Sequence, residues 1–519
     1  MPSDLLVESA PSCARTTLEN PRAPRLSVRA PFDAAACACV FAWLLARAAI
    51  QSITIDEADS YLAFVGRSYP SHWEAAANNH VLNSLLMRLS TALFGVSQFT
   101  VRLPALLGAA VYIVSALHLV RRLAPHRLLR AAILACLLLN PFVMDHLVAA
   151  RGYSLALAFL LACLAIAAWQ PPGETGAALL RRAAACSAAA ALSFCANFSF
   201  ALVDTALLLL VALWLARPSR ARVRVLAAAT LPGAALAVLI SGSVLLQWTK
   251  GGDLVWGAST LEETLRSVVQ ASLFQPNPYL LNPILLKLAR RAEALFFPAL
   301  GTACVLRLAC LALDRHSLRD PRARFALGLA AVSGGAAVLA LAAHYLLSRA
   351  LHVLLPLDRT AVYVALLAFL FAGALAAVPL SGRAGRLSCR LAAAALTAFA
   401  AYFLCCLRLT YFRTWQFDAD SRNVYAVLAS CNRRAGVTQV SANWRYVAVL
   451  NFYREAYGAD AFPEIPSGPS TVADYPPGRQ LYVLYQPSDQ PFIDREHLTV
   501  IYSEPVTGVA IGAPWTAGP

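Results

Sequence analysis

The sequence predicts an all-α polytopic membrane protein that ends in a small α/β domain. Three observations carry this expectation. Of the 519 residues 59% are apolar and 14% charged, too apolar for an ordinary soluble domain. Windows of about 20 residues run almost without charge, long enough to cross a hydrocarbon layer of about 30 Å. The basic residues, which give a formal net charge of +15, fall in short clusters between those windows. That is the distribution of a multi-pass chain rather than of a nucleic-acid binder.

Hydropathy places about eleven spans, near 33–52, 99–120, 128–145, 153–169, 179–195, 197–216, 224–246, 293–313, 325–347, 360–380 and 390–408. Residues 1–32 form a polar tail with Arg15, Arg22, Arg25 and Arg29, ahead of a first span that serves as an uncleaved anchor. Arginine clusters follow the even-numbered spans: Arg121, Arg122, Arg127 and Arg130; Arg181 and Arg182; Arg217, Arg220, Arg222 and Arg224; Arg315, Arg319, Arg322 and Arg324; Arg383, Arg386 and Arg390. All of these exits share a side with the basic N-terminus, and the positive-inside rule puts that side in the cytoplasm. An odd number of spans then delivers residues 410–519 to the outside. Only Lys250 and Lys287 among the 43 basic residues are lysines, a bias that, with the alanine richness, points to a GC-rich bacterial genome and so to a bacterial inner membrane.

The domain organisation expected is a tail (1–32), a membrane domain (33–409) whose first extracytoplasmic loop is 53–98, and an extracytoplasmic domain (410–519). Segment 81–95 reads as an interfacial amphipathic helix. In 247–292, Trp248 and Trp256 suit the membrane–water belt, and a helical pattern runs from Thr260 to Leu273. Beyond 410 a helix over 419–435 precedes β-type runs at 437–442, 481–485 and 498–502. The thirteen cysteines contain no CxxC and mostly sit inside apolar runs, where they are packing residues. No Walker motif or GxGxxG occurs, so nothing points to a nucleotide.

Chemistry concentrates just after the first span, where Asp56, Glu57, Asp59, His72, Glu74 and His80 follow one another. If residues 55–63 are helical, Asp56, Asp59 and Ser60 share a face with Glu57 beside them. A carboxylate held there has the chemistry of a general base toward a hydroxyl; a solvated acidic loop with helix capping explains the same residues. His80 with Glu57 or Asp59 has donors suited to a divalent cation, without the spacing of a known metal motif. Arg151 and Arg359 each stand at the start of a span on the same side. A boundary arginine needs a partner, and its planar fork matches phosphate oxygens. Pairing of Arg359 with Asp358, and interface anchoring by Arg151, are the simpler alternatives.

Three stretches, IDEADSY (55–61), NNHVLNSLLMRLSTALFGVSQFTVRLPALLGA (78–109) and NPFVMDHLVAARGYSLALA (140–158), resemble the C-type integral-membrane glycosyltransferases. The likeness is to bacterial members such as the protein O-mannosyltransferases and the lipid A aminoarabinose transferase. The resemblance implies a polyprenyl-phosphate sugar donor and inverting transfer outside the cytoplasm to a hydroxyl of a glycan, lipid or protein acceptor. It implies Asp56 as base with Glu57 as its catalytic partner, and Arg151 and Arg359 toward the carrier phosphate. Asp59, Tyr61 and His80 complete the candidate substrate contacts, and a divalent cation would fall to Glu57 and His80. The chain departs from many relatives, which have His-Pro-Pro-Leu where it has His80-Val81-Leu82-Asn83. Two other readings fit the hydropathy: a transporter or lipid flippase, with Asp204 as mid-span carboxylate, and a structural subunit with a sensing C-terminal domain. Asn443, Trp444, Arg445, Asn451 and Tyr453 are candidates for acceptor recognition.

Overall fold

A computed structural model describes residues 31–66, 76, 78–169, 174–216, 222–247, 256–458, 462–466, 475–476 and 478–514. His72, Glu74, Arg217, Arg220, Trp248 and most of the N-terminal tail lie outside them. Every expected span appears as helix: α1 (Pro31–Ile50), α4 (Leu103–Leu123), α5 (Arg127–Leu139), α7 (Tyr153–Ala168), α8 (Gly176–Ala196), α9 (Ala201–Ala216), α10 (Arg222–Gln247), α12 (Pro283–Leu313), α13 (Pro321–Leu351), α14 (Val362–Ala377) and α15 (Gly382–Leu404). Nine helical segments among the described residues are long and apolar enough to cross a membrane, against the eleven expected.

The two that fall short do so for visible reasons. The span expected at 128–145 breaks at Asn140, whose side chain caps a new short helix, α6 (Pro141–His146), by accepting from Phe142 and Val143 N–H. The other, α7, has only 16 residues, and it is apolar on every side because α4 and α8 enclose it in the core of the bundle. At the other extreme, α12 and α13 have 31 residues each. At 1.5 Å per residue that is about 46 Å, more than a hydrocarbon layer needs. The start of α12 carries Lys287, Arg290, Arg291 and Glu293, which is why hydropathy places that span ten residues late. Outward-facing Leu and Val side chains on α10, α12 and α13 are exposed, as a lipid-facing surface requires.

Ion pairs show which helix ends lie together. Asp33 at the start of α1 pairs with Arg130 (2.9 Å) and Arg121 (3.6 Å) at the junction of α4 and α5. Arg182 of α8 pairs with Glu174 (2.7 Å), and Arg122 stands over Phe325 at the start of α13. The 121–130 cluster and the start of α13 thus meet at one end of the bundle, and Ser381, just before α15, joins Asp314 at the end of α12 (2.8 Å). At the other end, Arg47 of α1 donates to Asp145 of α6 (2.5 Å) and to the Met144 carbonyl.

That end also carries α2 (Ile55–Phe64), α3 (Val81–Phe94), α11 (Leu261–Ser272) and the C-terminal domain. Helix α3 is amphipathic as expected, burying Val81, Asn83, Ser84 and Met87 while Leu89, Leu93 and Phe94 are exposed, and α11 fills the helical pattern expected at 260–273. The C-terminal domain consists of α16 (Ser421–Ala435), β1 (Val440–Ala442), α17 (Trp444–Tyr457), β2 (Leu481–Tyr485), α18 (Gln486–Arg495), β3 (Thr499–Glu504) and β4 (Val509–Ala513). Its sheet order is β1-β2-β4-β3, with β1 and β2 parallel and the other pairs antiparallel; α17 makes the crossover that a parallel pair needs. The domain does not stand apart. Ile53, Ala58, Tyr61 and Phe64 of the first loop share one core with Val424, Tyr446, Phe452 and Ile511.

The Arg47–Asp145 pair is buried on both sides, and removing one member strands the other charge, at about 3–5 kcal/mol. Arg47→Ala is expected to lower the thermal unfolding midpoint in detergent sharply, and Arg47→Met with Asp145→Leu to recover most of the loss. Equal loss in the single and double variants would contradict the pairing.

Candidate active site

The site begins with the N-terminus of α2. Thr54 caps it reciprocally: its hydroxyl accepts from Glu57 N–H (3.3 Å) while Glu57 Oε2 accepts from Thr54 N–H (2.9 Å). The same Oε2 accepts from Arg102 Nη2 (2.7 Å), and Oε1 accepts from Arg102 Nε (2.8 Å) and from Ala150 N–H (2.8 Å). The remaining Arg102 donors go to the carbonyls of Ala48 (3.1 Å), Gln51 (2.7 Å) and Ser52 (2.8 Å) at the end of α1. All five N–H groups of this buried guanidinium are therefore used. Glu57, expected as the catalytic partner, is fully buried, does not line the cavity into which its neighbours open, and holds the first loop on the bundle.

With Glu57 pinned inward, the 100° step between helical residues turns Asp56 and Asp59 outward. They open into a cavity of about 730 Å³. Asp56 Oδ2 lies 2.6 Å from Arg359 Nη1, so Arg359 pairs across the chain with Asp56 and not with its neighbour Asp358. The local backbone makes this possible. Asp358 takes a left-handed conformation (φ +50°), and Thr360 closes the turn on Leu357 N–H (2.8 Å); such strained positions concentrate at functional sites. The Trp256 ring, 6.0 Å from the guanidinium carbon, covers Arg359. Opposite stand Trp415, Phe417, Trp444 and Asn451, the last two from α17.

Arg151 supports the site from behind. Its Nη1 donates to the Asp56 carbonyl (3.1 Å) and to Ser60 Oγ (2.8 Å), and it is buried away from the cavity lining. Tyr61 points the other way, donating to Glu455 of α17 (2.8 Å) and meeting Phe452 edge-on. His80 is buried against Tyr153, ring centroids 5.4 Å apart, and neither ring nitrogen has a hydrogen-bond partner. Room for it comes from Gly152 (φ +74°), where a Cβ would sit 2.9 Å from His80 Cβ and 2.1 Å from the Ala196 carbonyl oxygen. Burial, then the charges of Arg151 and Arg359, hold its pKa well below the ordinary imidazole value, so His80 is neutral.

Asp59 and Asp418, on either side of Asp56, have altered titration. Asp59 titrates at about 6, raised first by the surrounding protein and then by Asp56, with Arg151 opposing. Asp418, absent from the sequence expectations, caps α2 by accepting from Ile55 N–H (2.7 Å). Its burial raises it well above the carboxylate range against that bond, and Asp56, Glu57 and Asp59 push the same way. Among the described residues no three His, Cys, Asp or Glu side chains come together as a metal-binding set, and both Glu57 oxygens already accept hydrogen bonds.

Of the residues weighed for acceptor recognition, Trp444 and Asn451 line the cavity. Asn443 instead donates to Asp489 (2.9 Å), Tyr453 bonds Gln98 (3.0 Å) and the Ile53 N–H (3.0 Å), and Arg445 stacks between Trp444 and Tyr485. Arg102 and Asp418 are the positioning residues that sequence reasoning missed. The one available signal was VRLP, an arginine entering an apolar span and so in need of a partner.

The fold is similar to that of a solved structure of low sequence identity. In particular, the crystal structure of ArnT from Cupriavidus metallidurans bound to undecaprenyl phosphate matches 94% of this chain and 98% of its own, with TM-score 0.54 and 14% identity. ArnT from the same organism in the apo state matches 94% and 98% (TM-score 0.45, 16% identity). The arabinofuranosyltransferase AftD from Mycobacteria matches 94% of this chain and 40% of its own (TM-score 0.45, 16% identity). No protein-family model and no curated protein sequence matches the chain.

Because the folded protein raises the pKa of Asp59 from 3.8 to about 6, it favours the neutral acid. The charged form costs stability as pH rises through that window, about 1 kcal/mol once solvent screening of this exposed group is allowed for. Asp59→Asn is expected to unfold at a higher temperature than wild type at pH 7.5 and at the same temperature at pH 4. Glu57→Gln and Arg102→Gln are expected to lose about 3–5 kcal/mol at either pH.

Proposed function

We propose that the protein is an inverting glycosyltransferase that moves a sugar from a polyprenyl-phosphate donor to an acceptor hydroxyl at the end of the bundle opposite the arginine clusters, the extracytoplasmic side. The observation that carries the reading is the Asp56–Arg359 pair, 2.6 Å apart, on the wall of the 730 Å³ cavity. A lipid-linked donor arrives laterally, so its phosphate must meet a cation where a span begins, and Arg359 stands at the first turn of the segment Asp358–Ala377. The fold shared with a protein solved with undecaprenyl phosphate supports the same donor class.

In this mechanism the donor phosphate takes the place of Asp56 on Arg359, parting the ion pair seen without donor, and the freed Asp56 takes the proton of the acceptor hydroxyl as its oxygen attacks the anomeric carbon from the face opposite the phosphate. The bond from anomeric carbon to phosphate oxygen breaks, the polyprenyl phosphate leaves with both electrons, and Arg359 neutralises the charge that develops there. The configuration inverts once. Arg151 and Glu57 act as positioning residues through the backbone of α2, and the aromatic wall opposite provides flat faces against which a sugar can lie. No nucleotide is needed, because the leaving group is already a phosphate.

Transfer of labelled sugar from a polyprenyl-phosphate donor, with the protein in proteoliposomes, tests the proposal. Asp56→Asn is expected to slow turnover about 10²–10⁴-fold. Arg359→Ala is expected to lose transfer and Arg359→Lys to recover part of it, since a point charge replaces a fork of donors. Wild-type turnover in Asp56→Asn would remove it as the base.

A further inference from the structure

A second cavity, of about 520 Å³, lies at the arginine-rich end between α4, α7 and α8 and takes no part in the proposed transfer. Its outer wall is apolar: Val114 and Ile166 line it, and Trp169 closes the end of α7. Val114 is 66% exposed, and so is its neighbour Leu107 two turns earlier on the same stripe of α4 (55%). The opening therefore faces the hydrocarbon side of the bundle and not water.

The inner wall is basic. Arg182 is already committed, to Glu174 (2.7 Å) and to the carbonyls of Ala167 and Trp169 that end α7. Arg181 beside it is exposed and makes no ion pair among the described residues. His118 stacks on Trp169, ring centroids 5.3 Å apart, and its Nε2 is buried without a hydrogen-bond partner, which an interior polar atom does not tolerate cheaply. Arg122 lies one turn on from His118 on the same helix face. The first turn of α8 reaches the cavity through Ala178, whose N–H is already capped by Thr175 Oγ1 (3.2 Å), so the side chains supply the positive wall. Two lining arginines against one glutamate leave the site positive.

We propose that this cavity binds an anionic phospholipid. Its phosphate sits between Arg181 and His118, and an acyl chain lies along Val114 and Leu107. The apolar mouth selects a lipid over a free phosphate ion, and the uncompensated Arg181 selects an anionic headgroup over a zwitterionic one. Basic pockets between transmembrane helices are suited to this, at about 1 kcal/mol per arginine near the surface.

Native mass spectrometry of the full chain, with phosphatidylglycerol or phosphatidylcholine titrated into detergent, is the test. Wild type is expected to retain phosphatidylglycerol in preference to phosphatidylcholine. Arg181→Gln is expected to weaken that retention about fivefold, and Val114→Trp, which obstructs the mouth without removing charge, to weaken it as well. Phosphatidylcholine retention should not change in either variant. The site is overturned if both variants, with unfolding temperatures like wild type, keep phosphatidylglycerol as wild type does. It is equally overturned if millimolar inorganic phosphate displaces the lipid completely, since that would mark a free-anion site.

Discussion

The Glu57–Arg102 ion pair is the interaction on which the acidic end of the molecule depends. Two opposite charges out of water repay their desolvation only when every donor and acceptor is satisfied, and here all are. Five guanidinium N–H groups reach Glu57 and three carbonyls closing α1, while the carboxylate also takes N–H groups from Thr54 and Ala150. One pair thus ties together the end of the first span, the start of the next, the loop at Ala150 and the N-terminus of α2. With that turn fixed, the helix has one rotation available, and it presents Asp56 and Asp59 to the cavity.

The second constraint is that the cavity is built jointly. Its acidic wall belongs to the first loop, its cation to the start of α14, and its aromatic wall to the 411–418 segment and α17. Four contacts stitch these parts: Asp418 on Ile55 N–H, Tyr453 on Ile53 N–H, Tyr61 on Glu455, and Ser52 on the Ala419 carbonyl (2.8 Å). The C-terminal domain is consequently a wall of the candidate site.

Much of this was legible in the sequence. Apolar windows located the eleven helices, and arginine clustering agrees with the helix ends that the described ion pairs bring together. Period 3.6 put Asp56 and Asp59 on one face. What was not legible was pairing at a distance. Nothing local tells that Glu57 faces Arg102, 45 residues away, or that Arg359 reaches Asp56 instead of Asp358; the left-handed φ of Asp358 decides the second. Asn140-Pro141 broke an apolar run that hydropathy reads as continuous, and α17, with Trp444, Tyr446 and Phe452 mixed among charges, has too little amphipathic pattern to announce a helix. The strand VAIGA (509–513) was missed because five apolar residues, all buried, give no alternation to read.

The central claim is that the Asp56–Arg359 cavity receives the phosphate of a lipid-linked donor. A structure of the protein with a polyprenyl phosphate bound measures this directly. The account predicts phosphate density within hydrogen-bond reach of the Arg359 guanidinium, with the lipid chain leaving toward the bilayer and Asp56 facing the space next to the phosphate. Phosphate density held elsewhere, with the Asp56–Arg359 pair unchanged and its cavity empty, would contradict it.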